Sequence, residues 1–246
     1  MVMGAAPEGA CDCDPAAVSR AVQEMFSSIA PRYDLLNHLL SLNIDRWWWS
    51  RTAGAFAHIL ERPDASVLDL CCGTGDMAFA LSRRAGGSGA RILGADFSHP
   101  MLERALLKSQ GTRLRWVEAD ALGLPFPDAS FDLVTSAFGF RNLADYDAGL
   151  REMVRVLRPG GECGILECSE PDGWLGKLYR VYFRRVLPAV GTLISGVKGP
   201  YSYLPASVAR FPPSPELIAR MRSAGFGNAS WTPYTFGTAG LFRGRK

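Results

Sequence analysis

No stretch of this 246-residue chain holds the roughly 18 consecutive apolar residues that a membrane-spanning helix needs. Histidine is scarce, three in all, and the six cysteines contain no C-x-x-C pair. Structural zinc sites cluster Cys and His at short fixed spacings, so no metal site is expected. An excess of charge of one sign is also lacking: 27 Lys and Arg stand against 24 Asp and Glu, a net charge of +3. Nucleic-acid-binding domains concentrate Lys and Arg on one face, and so small a surplus does not argue for one. The opening MVMGAAPEGACDCDPAA has no basic segment followed by an apolar one. Residues 1–15 read as a flexible tail rather than a secretory signal, and a cytoplasmic protein is expected. Repeats and low-complexity segments are absent too. What is present is 48% apolar residues, ample for a buried core.

Residues 16–60 carry apolar positions at helical spacing: AAVSRAVQEMFSSIA, an interruption at Pro31, YDLLNHLLSLN, then DRWWWSRTAGAFAHIL with Asp45 as a candidate N-cap. From residue 65 strands alternate with helices. The strands are SVLDLC, RILGADF, LRWVEAD, FDLVTSAF and GECGILECSE. The helices between them are DMAFALSRRA, PMLERALLKSQ and DAGLREMVRVLRPGG, whose Pro-Gly-Gly is a stop signal. A long aromatic helix, WLGKLYRVYFRRVLPAVGTLI, is followed by the helix SPELIARMRSAGF and two strands within NASWTPY and TFGTAGLFRG. Such alternation implies a parallel sheet covered on both faces. The expected fold is α/β: a Rossmann-like, doubly wound, mostly parallel seven-stranded sheet with a helical N-terminal cap. One domain is expected over 16–246: a cap at 16–60, a cofactor-binding core at 65–170, and substrate-side helices with the final strands at 171–246.

The segment VLDLCCGTGD, residues 67–76, falls after the first core strand and before a helix. Ligands of open parallel sheets bind beyond that end of the strands. Gly73 and Gly75 allow close approach of backbone to ligand, and the following helix offers free N–H groups. No Lys follows, as a Walker loop requires. The G-x-G-x-x-G dinucleotide pattern reaches Ala78 rather than a third glycine. Asp96 closes the second strand, where a carboxylate can accept both hydroxyls of a ribose. These features describe a nucleoside site.

Taken in order, VLDLCCGTGD, GADFS, EADALGLPFPDASFDLV and LRPGG resemble the class I S-adenosylmethionine-dependent methyltransferases. FSSIAPRYDLLNHLLSLNIDRWW, SAFGFRNLAD and YSYLPASVARFPPSPELIARMRSAGF narrow the likeness. They resemble the ubiquinone/menaquinone biosynthesis C-methyltransferase family, over nearly the whole chain from about residue 20. The resemblance implies S-adenosylmethionine as cofactor and a polyprenylated quinol as substrate, with demethylmenaquinol favoured over the benzoquinol of the ubiquinone pathway. Asp69, Gly73, Thr74 and Gly75 would hold the methionine part of the cofactor, Asp96 the ribose, and Asp120 and Ala121 the adenine. Where the family commonly has Ser before its Phe-Gly, this chain has Ala137. Ser136, one residue earlier, points to the opposite face if the segment is extended. The cysteines then pack under the cofactor loop.

Carbon methylation needs an electron-rich ring, and ionising a quinol hydroxyl provides one. The expected catalytic residues are Arg141, whose permanent charge suits a phenolate, Asn142 to orient the ring oxygen or a water, Tyr33 closing over the acceptor with Asp34, and Asp120 in a water path. Pairing with Asp145 is the alternative place for Arg141. His38, His58 and His99 are read as surface or capping residues. At helical spacing Trp47, Trp48 and Trp49 point in different directions, so at least one is exposed or meets a partner. Tryptophan favours membrane interfaces. Together with the basic KLYRVYFRRVL it leaves peripheral contact with the inner face of the membrane as a second option for location. A homodimer is left open. Three rival readings remain: a methyltransferase acting on O, N or C of another small molecule, a non-catalytic cofactor-binding subunit, and a nicotinamide oxidoreductase. No nucleic-acid partner is expected, since AFGFRN stands where base methylation uses an Asn/Asp-Pro-Pro-aromatic turn.

Overall fold

The computed structural model describes residues 20, 22–27, 43–169, 171 and 200–246. Cys11, Cys13, Tyr33, Asp34, His38 and the aromatic segment 174–194 lie outside the described residues. Residues 22–27 are helical. There follow α1 (Ile44–Ala55), α2 (Ala57–Leu60), β1 (Ser66–Leu70), α3 (Asp76–Ala85), β2 (Arg91–Asp96), α4 (His99–Lys108), β3 (Arg115–Glu118) and β4 (Phe131–Ala137). A 3₁₀ turn, Phe140–Asn142, leads to α5 (Tyr146–Val156) and β5 (Leu157–Cys168). After α6 (Pro200–Arg210) and α7 (Ser214–Ala224) come β6 (Gly227–Tyr234) and β7 (Ala239–Arg245).

The seven strands form one sheet in the order β3-β2-β1-β4-β5-β7-β6. Strands β1 to β5 run parallel, and β7 is antiparallel to both its neighbours. The fold is therefore the expected mostly parallel seven-stranded α/β sheet. The chain winds outward from β1 to β3, then returns to lay β4 on the other side of β1. Loops after β1 and β4 leave in opposite directions, which opens a crevice at the carboxyl end of the sheet. Central strands covered on both faces must be apolar almost throughout. In β1, Val67, Leu68 and Leu70 are buried together with Asp69. Phe56, Leu60, Leu81 and Leu133 lie in one apolar layer, and Phe140, Leu150, Met153, Leu217 and Met221 in the other.

Local chemistry sets the element ends. Gly86, at φ +58°, closes α3 with the left-handed residue that helix ends favour. Asp145 caps α5, its carboxylate accepting the Ala148 N–H at 2.9 Å. The expected helix 147–161 stops at Val156, and β5 begins at Leu157 rather than at 161. The cause is Pro159, which disfavours helical backbone in the residue before it. Asp45 is not an N-cap: it lies inside the first turn of α1, after Asn43, and accepts the Arg46 N–H at 2.8 Å. Helix α6, to which the sequence pattern assigns no element, contains Pro205.

The three consecutive tryptophans do separate. Trp47 is half exposed, whereas Trp48 and Trp49 are buried. The Trp48 indole donates to the Thr235 hydroxyl at 2.8 Å, and its ring packs on Phe138. Trp49 faces the crevice.

Candidate active site

The crevice is an open cleft of roughly 1010 Å³, solvent at its mouth included. Its walls come from the turn after β1 (Cys71, Cys72, Gly73, Thr74), the end of β2 (Asp96, Phe97), the segment after β3 (Asp120, Ala121) and the turn after β4 (Phe138, Gly139, Asn142). Phe26, from the helical residues 22–27, and Trp49 close it from the N-terminal side. The cleft thus collects Asp69, Gly73, Thr74, Asp96, Asp120, Ala121 and Asn142 from the expected set.

Asp96 organises the floor. Its Oδ2 accepts the Gly73 N–H at 2.8 Å and its Oδ1 the Ser98 N–H at 2.9 Å. Its backbone carbonyl takes the Ala119 N–H at 3.0 Å. One residue therefore ties together the turns after β1, β2 and β3. Burial pushes its carboxyl up to about 6, against the backbone N–H groups that favour the charged form. Lys108 fastens the same region from outside, donating to the Thr74 hydroxyl at 3.1 Å and the Asp76 carboxylate at 2.8 Å.

Asp69 is fully buried. Its Oδ1 accepts from the Thr135 hydroxyl at 2.8 Å, while Oδ2 is buried with no close partner among the described residues; the Ala78 N–H also favours the charged form. Burial pushes this carboxyl up to about 7. A buried carboxylate with accepting capacity to spare, behind the wall of a cleft, suits a cationic group of a ligand.

The glycines divide the work differently from the expectation. Gly73, at φ +55°, has open space where a Cβ would stand. Gly75 does not line the cleft: a Cβ there would meet the Trp116 ring at 2.4 Å, and so would one on Gly94. Gly75 serves packing of an indole rather than approach of a ligand. Gly139 is required by Cys71, whose Cβ would lie 2.4 Å from an added methyl. Cys71 and Phe138 both hold left-handed φ, +54° and +58°, which side chains rarely adopt. Backbone strain thus sits on both sides of this contact. Burial raises the thiols of Cys71, Cys72, Cys163 and Cys168 above the ordinary range. They stay protonated and serve as packing groups.

The turn after β4 corrects the expectation for Arg141. Its guanidinium is not at the cleft wall and does not pair with Asp145. It is buried, donating from Nη1 to Glu167 Oε2 at 2.7 Å and to the Phe138 carbonyl. Its backbone N–H donates to Glu167 Oε1 at 3.0 Å, and its carbonyl accepts the Tyr146 hydroxyl at 3.0 Å. Glu167 lies at the end of β5 and is itself 1% exposed. Arg141 therefore clamps the turn that presents Asn142. Asn142 does reach the cleft, and its Oδ1 accepts the Tyr203 hydroxyl from α6 at 3.1 Å. Asp120 stands exposed at the opposite wall, its Oδ1 accepting the Leu122 N–H at 2.9 Å. Ser136 points away from the cleft and Ala137 lines it, as strand alternation requires. Sequence reading missed Trp116, Glu167 and Tyr203. None of the three carries a signal in the local sequence.

Removing one partner of a buried ion pair strands the other charge. Arg141→Ala should cost about 3–5 kcal/mol in urea unfolding, and Glu167→Gln added to Arg141→Met should return most of the loss. An Arg141→Ala variant as stable as the parent would show that the pair does not hold this turn.

The family model of the ubiE/COQ5 methyltransferase family matches residues 15–246. A demethylmenaquinone methyltransferase from Deinococcus radiodurans is 51% identical over 230 residues, covering 92% of this chain and 93% of its own. One from Thermus thermophilus is 51% identical over 223 residues, covering 89% and 99%. The ubiquinone/menaquinone biosynthesis C-methyltransferase of Geobacter sulfurreducens is 44% identical, covering 92% and 88%. Among solved structures, a SAM-dependent methyltransferase from Thermotoga maritima superposes with TM-score 0.64 at 19% identity, covering 91% of this chain and 99% of its own. One from Aquifex aeolicus gives 0.59 at 15%, covering 95% and 99%. The fold, the carboxylates at the ends of β1 and β2, and these likenesses agree: S-adenosylmethionine is the methyl donor, and the chain belongs to the ubiE/COQ5 methyltransferase family.

Proposed function

We propose that this enzyme methylates a ring carbon of a polyprenylated quinol, with demethylmenaquinol as the acceptor. The observation that carries the reading is one cleft lined by both Asp69 and Asn142. The identity to the Deinococcus and Thermus demethylmenaquinone methyltransferases supports the choice of acceptor. When bound, S-adenosylmethionine supplies an electrophilic methyl on a sulfonium. Asp69 and the turn Gly73–Thr74 suit its methionine end, Asp96 its ribose, and Asp120 with Ala121 its adenine. Asp96 keeps acceptor capacity for the ribose, since a carboxylate offers about four acceptor sites and the backbone N–H groups of Gly73, Ser98 and Phe97 do not use all of them.

The acceptor ring enters between that wall and Asn142. Loss of a hydroxyl proton raises electron density on the neighbouring carbon. A carbon–carbon bond then forms to the methyl as its bond to sulfur breaks, and the ring carbon sheds its proton to restore aromaticity. Asn142 orients the ring oxygen, and Asp120 suits a water path that carries the proton out. Arg141 acts by holding the turn. The part expected of Tyr33 falls outside the described residues.

The lipid tail needs a way in. Phe236 is 83% exposed and Trp47, which packs on Tyr234, 48%, and both stand at the end of the sheet that bears the cleft. Thr235 and Phe236 hold positive φ in succession, a strained turn beside the rim. Arg51 lies over the rings of Trp47 and Tyr234 at 5.2 and 5.0 Å. An aromatic rim edged by an arginine suits the surface of an anionic membrane. No helix of the described residues is long and apolar enough to cross one. The cleft is built from one chain, so the reading does not depend on a homodimer.

Purified protein given labelled methyl donor and reduced acceptors, with products weighed by mass spectrometry, tests the assignment. Ring methylation of demethylmenaquinol over the benzoquinol is expected; labelling of neither overturns it. With acceptor in anionic vesicles, Trp47→Ser and Phe236→Ser should slow turnover while leaving a short-chain soluble acceptor unaffected. Equal rates in both settings would remove the membrane rim.

The raised carboxyls set a pH dependence. Asp69 titrates near 7 and Asp96 near 6, both pushed up by burial. Because the folded state holds these protons more tightly than the unfolded chain, stability falls as pH rises from about 4 to 7. Cofactor affinity runs the other way, since a cationic ligand needs the ionised form. With a pKa of about 7, Asp69 is ionised about eightfold less at pH 6 than at pH 7.5. Calorimetric affinity should drop by roughly that factor, and Asp69→Asn should bind weakly with a flatter profile. A parent affinity independent of pH would contradict the placement of Asp69.

A further inference from the structure

Tyr203 belongs to a segment, YSYLP, to which neither the cofactor site nor the proposed chemistry assigns a task. Its hydroxyl donates to Asn142 Oδ1 at 3.1 Å. The ring is half-buried, edge-on to Phe26 at 6.5 Å, with the Arg210 guanidinium 5.7 Å from its centre. Burial raises its hydroxyl above the ordinary range, against the nearby Arg210 and Arg141, so the group stays protonated and can act as a donor. Glu167, Tyr146, Arg141 and Arg210 are the other titratable groups around it.

A carboxamide has two faces of opposite character: an oxygen that accepts and an NH₂ that donates. Left to rotate, Asn142 could turn either face to the cleft. A neutral tyrosine that donates to Oδ1 occupies the accepting face. The NH₂ group is then what remains for the acceptor, and no described residue takes its hydrogens. An ionised ring oxygen accepts hydrogen bonds and repels a carbonyl dipole. The orientation fixed by Tyr203 therefore favours the phenolate over the neutral quinol.

We infer that Tyr203 is a positioning residue of the methyl transfer: its hydroxyl locks the Asn142 carboxamide with NH₂ toward the acceptor oxygen. The inference rests on the quinol reading above. It concerns Asn142 only, so cofactor binding is untouched by it. Arg141 fixes the backbone of the turn and Tyr203 the side chain, each from a different element.

The test is a double-mutant cycle of Tyr203→Phe and Asn142→Ala, read by single-turnover methyl transfer across pH with saturating S-adenosylmethionine. Phenylalanine keeps the ring contacts with Phe26 and Arg210 and removes the hydroxyl, together with the hydrogen bond that Arg210 makes to it. Tyr203→Phe should transfer methyl about tenfold more slowly, the scale of one lost hydrogen bond to an oriented group. Its pH profile should move upward, since more base is needed to ionise the acceptor, and cofactor affinity should match the parent. In the Asn142→Ala background the same change should cost nothing further. A parental rate and profile for Tyr203→Phe would overturn the inference. So would losses that multiply in the double variant, because Tyr203 would then act without Asn142. If the parent methylates no quinol at all, the functional reading fails first, and the two failures are distinguishable.

Discussion

Both oxygens of the Asp96 carboxylate are held by backbone N–H groups from different turns, and its own carbonyl holds a third. Everything at the mouth of the sheet hangs on this arrangement. The turn after β1 carries Gly73 at φ +55°, which glycine adopts freely, and Cys71 at φ +54°, a strained conformation that persists only where the surroundings over-determine it. A buried carboxylate accepting hydrogen bonds does so, because leaving either donor bare in the interior costs more than the strain. The same carboxylate faces the cleft, so the group that shapes the loop is also the one that meets the ligand.

A second constraint joins the cofactor wall to the acceptor wall. Gly139 lies so close to Cys71 that any side chain would collide. The two chain segments sit on the neighbouring strands β1 and β4, at the point where the winding reverses. The buried Arg141–Glu167 pair then fixes the turn beyond Gly139 against β5. Electrostatics within the cleft is thus mainly structural on the acceptor side and mainly ligand-directed on the cofactor side, where Asp69 and Asp96 carry raised carboxyls.

Much of this was legible in the sequence. Apolar runs of strand length between amphipathic helices encode the parallel sheet, and VLDLCCGTGD with GADFS encodes the cofactor turn. Three things were not legible, each for a physical reason. Arg141 has the composition of an anion-binding residue, but its partner Glu167 comes 26 residues later, in a segment that reads as an ordinary strand end. Gly75 fits a ligand-binding pattern, yet the space it leaves is taken by Trp116 from β3; sequence spacing does not reveal which neighbour fills a glycine's gap. Helix α6 continues through Pro205, where local propensity argues against a helix.

The central claim is that Asp96 both sets the loop and receives the ligand. Replacing it with asparagine keeps the shape but leaves one accepting oxygen for two backbone donors. Amide hydrogen exchange at Gly73 and Ser98, paired with calorimetric titration of S-adenosylmethionine at pH 7.5, measures both halves at once. The account predicts that one of the two amides loses protection and that affinity drops by about 1.5–3 kcal/mol. Parental protection at both amides together with parental affinity would contradict it.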